Sequence, residues 1–144
     1  MLRVMFVDDE PAILATLRRC ITPICRQWNM EFYTSPRSAL AALDERPFEV
    51  IVSDMRMPEM DGAQFLDEAM RRLPQAIRIV LSGTVTEQMI GCSDVLHHHF
   101  LPKPCNVRRL TSIIDSLAAA GDQFGGPQTP NISDARSRWS DPTR

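Results

Sequence analysis

The chain has 144 residues, 44% of them hydrophobic and 24% charged, with a formal net charge of -2. That length suits one compact domain with a short extension, and the weak acidity supplies no global field for holding nucleic acid. The opening MLRVMFVDDE meets an acidic cluster after a very short apolar run, too soon for a signal peptide or a membrane span, so a cytoplasmic location without membrane contact is expected.

Arg3-Val4-Met5-Phe6-Val7 reads as a first strand, rich in the β-branched and aromatic residues that strands favour. Pro11 can open a first helix, whose apolar stripe is Ile13, Leu14, Leu17, Cys20, Ile21 and Ile24. A weaker strand follows at Met30-Glu31-Phe32-Tyr33, and Ser35-Pro36 reads as an N-cap with a proline at the first position of a second helix through Ala39, Leu40 and Leu43. Phe48 to Val52 is a third strand, and Asp61-Gly62 turns into a third helix carrying Phe65, Leu66, Ala69 and Met70, with Arg71-Arg72 near an end that Pro74 closes. Glycine at that turn is expected to supply a positive φ and the aspartate a cap. Ile77 to Leu81 is a fourth strand, Thr86 to Leu96 a weakly periodic fourth helix, and His99-Phe100-Leu101 a fifth strand. Asn106 starts a last helix through Leu110, Ile113, Ile114 and Leu117 that ends near Gly121.

The pattern is therefore (βα) repeated five times. Strands apolar at nearly every position suit a parallel sheet covered on both faces, which makes a doubly wound three-layer sandwich with a five-stranded parallel sheet. Residues 1–120 form the domain. From Gly121 onward, three of the six glycines, three prolines and interspersed charges read as a linker or disordered tail, 121–144, too poor in apolar surface to offset ordering. The four cysteines lack the paired spacing of a zinc site and are expected to be reduced.

Function follows from where polar residues fall. Asp8 and Asp9 end the first strand, Asp54 ends the third, Ser82 the fourth, and Lys103 follows the fifth. In such folds the crevice lies at the carboxyl ends of the strands, so all five converge on one rim. Three carboxylates gathered there repel one another, and a hard divalent cation, magnesium or alternatively manganese, relieves them. Magnesium keeps sites open for phosphate oxygens, Lys103 adds a positive charge and Ser82 a hydroxyl donor. Together these suit phosphoryl transfer, where positioning and electrostatics supply most of the catalysis. Asp54, coming from the middle of the sheet, is the natural nucleophile.

The blocks VDDEP, VSDMRMPEMDG, LSG and FLPKP, in that order and spacing, resemble the receiver domain of bacterial two-component response regulators over about residues 1 to 120. The resemblance implies a flavodoxin-like fold, Asp54 as the phosphoacceptor, and magnesium held by Asp8, Asp9, Asp54 and the backbone carbonyl of Arg56. It implies Lys103 and Ser82 as phosphate-binding groups, Ser82 and Phe100 as the switch pair, and Arg56 and Thr84 as positions that tune phosphate lifetime. The implied donor is a sensor histidine kinase or phosphotransfer protein. The implied response is a change in the face made by the fourth helix, the fifth strand and the fifth helix, read by an output domain, a partner or a second copy in a homodimer. Beyond its own aspartyl phosphorylation and dephosphorylation the domain is expected to be no enzyme, and to touch neither nucleic acid nor membrane. The text around Asp54 and Lys103 is similar to receivers joined to HD-type or HDOD output domains.

Rival readings fare worse. A flavin carrier needs a glycine- or hydroxyl-rich first loop, not Asp8-Asp9-Glu10-Pro11. An aspartate-nucleophile phosphatase needs a carboxylate two residues after the nucleophile, where Arg56 stands. A phosphorylation-independent receiver-like interaction module is the alternative that the retained acidic, hydroxyl and lysine positions oppose. His97-His98-His99 alternates across a strand and cannot easily share one ion. Met55, Met57 and Met60 read as loop packing, and Arg18-Arg19 and Arg71-Arg72 as solvated helix faces.

Overall fold

The computed structural model describes residues 2–83, 99–103 and 106–123, with side chains through residue 120. Five parallel strands, β1 (Arg3–Val7), β2 (Asn29–Tyr33), β3 (Val50–Asp54), β4 (Ile77–Ser82) and β5 (His99–Pro102), form one sheet in the order β2-β1-β3-β4-β5. Helices α1 (Pro11–Ile21), α2 (Pro36–Glu45), α3 (Gly62–Arg72) and a last helix (Val107–Gln123) connect or follow them. The expected helix at Thr86 to Leu96 lies outside the described residues, as does the tail from 124; the last helix itself runs to Gln123.

Two apolar layers, one on each face, hold the sheet. Alternate residues of β1 diverge, Val4 and Phe6 into one layer with Leu14 and Ile21 of α1 and Leu110 and Ile114 of the last helix. Met5 and Val7 enter the other, with Ala39, Ala42 and Leu43 of α2 and Phe65, Leu66 and Ala69 of α3. Period-two alternation makes each central strand serve both layers, which is why its sequence is apolar throughout. Burying one such Leu, Ile or Phe contributes roughly 1.5–3 kcal/mol.

Helix ends follow local chemistry. Pro11 and Pro36 sit in the first turns of α1 and α2, where a missing N–H costs nothing. The Ser35 Oγ accepts from the Ser38 amide at 3.4 Å. Arg18 and Arg19 lie in the last turn of α1 and Arg71 and Arg72 in that of α3, where positive charge meets the negative helix end.

The structure departs from the sequence reading in three places. The apolar stripe of α1 does not extend to Cys20 and Ile24: Cys20 is exposed and Ile24 is 48% exposed. The helix stops at Ile21, and a turn in which the Cys25 amide donates to Ile21 O and the Trp28 amide to Cys25 O swings Cys25 and Trp28 into the core instead. The third strand begins at Val50, not Phe48, and extends to Asp54, while Phe48 fills the α2 layer from the preceding loop. Gly62 is required for space and not for a positive φ. A Cβ there would overlap the Asp54 carbonyl oxygen and come within 2.9 Å of Met55 Cα.

Candidate functional site

Register delivers the polar residues to one rim. Val7 lies opposite Ser53 across the β1–β3 pair, so Asp8 and Asp54 follow side by side at the carboxyl ends of adjacent central strands. Strand order reverses at this pair, since β1 leads outward to β2 and β3 to β4, and crevices open where that occurs. Asp54 stands opposite Leu81, and Ser82 opposite Pro102. The Lys103 amide then donates to Ser82 O at 2.8 Å, which turns the lysine over the crevice.

Asp8 and Asp54 are buried and Asp9 is half-buried. One carboxylate oxygen from each lies within 4.8 Å of the others. Lys103 Nζ is 2.6 Å from Asp54 Oδ1 and 3.5 Å from Asp8 Oδ2. Three carboxylates therefore face one ammonium. The consequence is visible on Asp8: burial, with the neighbouring Asp54 charge adding to it, raises its pKa above the ordinary carboxylate value, although the Glu10 amide and Lys103 pull the other way. Burial also works against the Lys103 charge, but its hydrogen bond to Asp54 and the charges of Asp8 and Asp54 outweigh that, leaving its pKa raised.

The loop after Asp54 is anchored from below. Met57 is buried among Ile51, Phe65 and their neighbours, and Met55 and Met60 pack against the same layer, which agrees with their reading as packing groups. The Gly62 amide donates to Met55 O at 2.7 Å. Asp61 closes the loop with a reciprocal cap: its Oδ1 accepts from the Gln64 amide at 2.8 Å, and its own amide donates to Gln64 Oε1 at 3.1 Å. Sequence reading assigned Asp61 a cap but missed Gln64. A capping acid followed three residues later by Gln, ahead of an apolar run, is the signal that would have found it.

Of the other expected site residues, Ser82 is buried at the end of β4, Arg56 is exposed, and Phe100 is half-buried against the α2–α3 layer. His99 lies in β5; Thr84, Pro104, Cys92, Cys105, His97 and His98 lie outside the described residues. Asp8, Asp9, Asp54, Ser82 and Lys103 thus gather where the sequence reading put them. Their chemistry, an excess of hard oxygen donors beside one fixed ammonium, fits a hard divalent cation.

This parallel α/β sandwich with an acidic crevice at its switch point belongs to the class of phosphoryl-responsive signalling folds. A family model described as "Response regulator receiver domain" matches residues 4–115, so the chain belongs to that family, the receiving module of two-component phosphorelays. It is 35% identical over 103 residues to the hydrogenase transcriptional regulatory protein HoxA of Cupriavidus necator, covering 70% of this chain and 21% of that protein. It is 26% identical over 136 residues to the transcriptional regulatory protein TcrA of Mycobacterium tuberculosis, covering 93% of this chain and 52% of that protein. The chain thus spans between about a fifth and a half of these curated relatives. In architecture it is similar to a CheY-like response regulator receiver domain protein from Methanospirillum hungatei, with a TM-score of 0.75 at 21% identity over 87% of this chain and 99% of that one. No described helix is long and apolar enough to cross a membrane.

Proposed function

We propose that Asp54 is the phosphoacceptor of this receiver domain and that the observation carrying this reading is the excess of charge at the rim, three carboxylates against Lys103. An Asp54 oxygen attacks the phosphorus of a phosphohistidine donor or a small acyl phosphate. The P–N or P–O bond to the leaving group breaks, and an aspartyl phosphate results. Asp8, Asp9, Asp54 and the Arg56 carbonyl would hold magnesium, with manganese an alternative; when bound, such a cation offsets the charge of the transferring group and its acceptor.

Lys103 holds its ammonium against the same oxygen edge and stabilises the added negative charge, as charge-assisted hydrogen bonds do. Ser82 supplies a hydroxyl donor to the phosphoryl oxygens. Its inward shift vacates space beside Phe100, whose ring then turns in and reshapes the face of β5, the last helix and the segment between β4 and β5. Arg56, exposed beside the acceptor, and Thr84 tune the lifetime of the phosphate. The donors are a sensor histidine kinase or phosphotransfer protein in the cytoplasm, and the reader of the changed face is an output domain of HD or HDOD type, a partner or a second copy. The domain's only catalysis is its own phosphorylation and dephosphorylation.

The test is incubation with acetyl phosphate and magnesium, followed by intact-mass measurement. A single hydroxylamine-sensitive phosphoryl addition is expected, absent in Asp54→Ala and after EDTA. Equal labelling of Asp54→Ala would overturn the assignment, and no labelling of the native chain would leave the phosphorylation-independent module as the better reading.

A further inference from the structure

The flank of α1 turned away from the last helix carries a feature that phosphoryl chemistry does not use. An open groove of about 330 Å³ runs between α1 and the edge strand β2, floored by Leu14, Ala15 and Phe32 and bordered by Arg18 and Arg19. Its floor is rigid: Phe32 stacks on Phe6 of the neighbouring strand with ring centres 5.1 Å apart. The Arg18 guanidinium carbon lies 4.6 Å from the Phe32 ring centre, so the arginine is already held over the aromatic ring.

These two arginines differ from those on α2 and α3, and share with Arg108 and Arg109 of the last helix the lack of an ion pair among the described residues. Arg37, Arg71 and Arg72 each have a carboxylate oxygen within 3.8 Å, as does Arg46 just past α2. Arg18 and Arg19 have no ion-pair partner among the described residues. Two adjacent uncompensated guanidinium groups beside an apolar floor make a surface whose complement is acidic and apolar at once. A guanidinium held over a ring keeps its N–H donors free for a carboxylate and loses little further freedom in binding one.

We propose that this groove docks a short acidic segment of a partner protein, which sets an apolar side chain on Leu14 and Phe32 and pairs its carboxylates with Arg18 and Arg19. A nucleic acid would also satisfy two arginines. Its bases could stack on an aromatic ring, but the aliphatic floor of Leu14 and Ala15 offers them nothing, and the chain's net charge of -2 opposes a polyanion. The site lies on α1, apart from the switch face at β5, so its occupancy does not require phosphate on Asp54.

The experiment is an NMR titration of the 15N-labelled chain with a short synthetic peptide alternating leucine and glutamate. Matched probes replace glutamate by lysine or leucine by serine, and oligothymidine stands for nucleic acid. Shift changes confined to the amides around Leu14, Ala15, Arg18, Phe32 and Thr34, produced by the leucine–glutamate peptide and weakened by salt, are expected. Reversing both charges in Arg18→Glu/Arg19→Glu should weaken that binding at least about tenfold. Filling the groove with Ala15→Leu should weaken it with both charges intact, which carries the test if charge reversal disturbs the fold. The proposal is overturned by equal binding of the serine peptide, by tighter binding of oligothymidine, by shifts centred elsewhere, or by unchanged affinity in Ala15→Leu.

Discussion

Two polar clusters flank the α2 side of this sheet, and they solve the problem of charge in opposite ways. At the edge strand, Glu31 takes both Arg46 Nε at 2.9 Å and Arg46 Nη2 at 2.6 Å, and its Oε1 also accepts from the Tyr33 hydroxyl at 2.6 Å. Arg46 also reaches the exposed Glu45 through Nη1 at 3.1 Å, and the Arg3 charge acts on Glu31 as well, so two carboxylates meet two cations and every strong donor has an acceptor. The Arg46 hydrogen bonds hold the Glu31 carboxyl below its usual range, and the same bonds push Arg46 up. At the rim, Lys103 must serve Asp8 and Asp54 together while Asp9 stands within reach of both. The edge cluster is balanced and locks α2 to the sheet. The rim is short of positive charge, and its donor set suits a hard cation. Balance marks structure here, and imbalance marks the place where something binds.

The largest expected effect breaks the rim. Lys103→Ala removes the only described cation from among the three carboxylates and should lower the rate of Asp54 phosphorylation by acetyl phosphate by roughly 10²–10³, the scale of losing one preorganised charge-stabilising group. Intact-mass time courses at saturating magnesium measure it, and a rate within twofold of the native chain would remove Lys103 from the chemistry. Magnesium itself should stabilise the fold, by about 2.7 kcal/mol when its concentration is one hundred times its Kd. That gain should vanish in Asp9→Ala when Tm is followed against added magnesium.

A second break is steric and sits beneath the same rim. Gly62→Ala would drive a methyl group into the Asp54 carbonyl and the Met55 backbone. Overpacking of that kind costs about 1–3 kcal/mol, and because the displaced atoms belong to the proposed acceptor, urea denaturation and phosphorylation rate should fall together. Loss of stability alone would separate the glycine's packing role from the site.

Much of this was readable in sequence because the strands announce themselves twice, by apolar composition and by the polar residue that ends each one. Asp8, Asp54, Ser82 and Lys103 could be assigned to one rim without coordinates, since parallel strands in a doubly wound sheet all end on the same side. What could not be read was side-chain pairing between distant residues that no strand end marks. Glu31 and Arg46 are fifteen positions apart on different elements, and neither carries a local signal. The turn that exposes Ile24 and buries Cys25 and Trp28 preserves an apolar spacing that looks helical until the chain turns. Gly62 was assigned to the correct turn for the wrong reason, because glycine's two uses, positive φ and close approach, look identical in sequence.

Removing one rim carboxylate should sharpen the contrast further. Like charges about 5 Å apart repel by about 3 kcal/mol at an effective dielectric near 20, and Lys103 offsets part of it. Asp9→Asn should therefore raise metal-free stability by about 1 kcal/mol while weakening magnesium binding. A simple packing role for Asp9 predicts the opposite sign in the first measurement.

The smallest effect belongs to the balanced cluster, and its sign can be worked out from the Glu31 carboxyl. Its pKa in the fold lies below the ordinary value of 4.5, so above that value Glu31 is charged in both states and the Arg46 pairing contributes in full. Below it the unfolded chain takes up the proton first, and stability is lost progressively as pH falls through the folded value. Glu31→Gln should thus lose stability at neutral pH and show a flatter decline as pH falls below 4.5, the two chains converging in acid. Because the pair is partly open to solvent, the neutral-pH loss should be modest. Thermal unfolding of both chains across that window measures it. A constant gap in Tm at every pH would mean that Glu31 acts through its shape and not its charge, and the two clusters would then differ in kind and not only in balance.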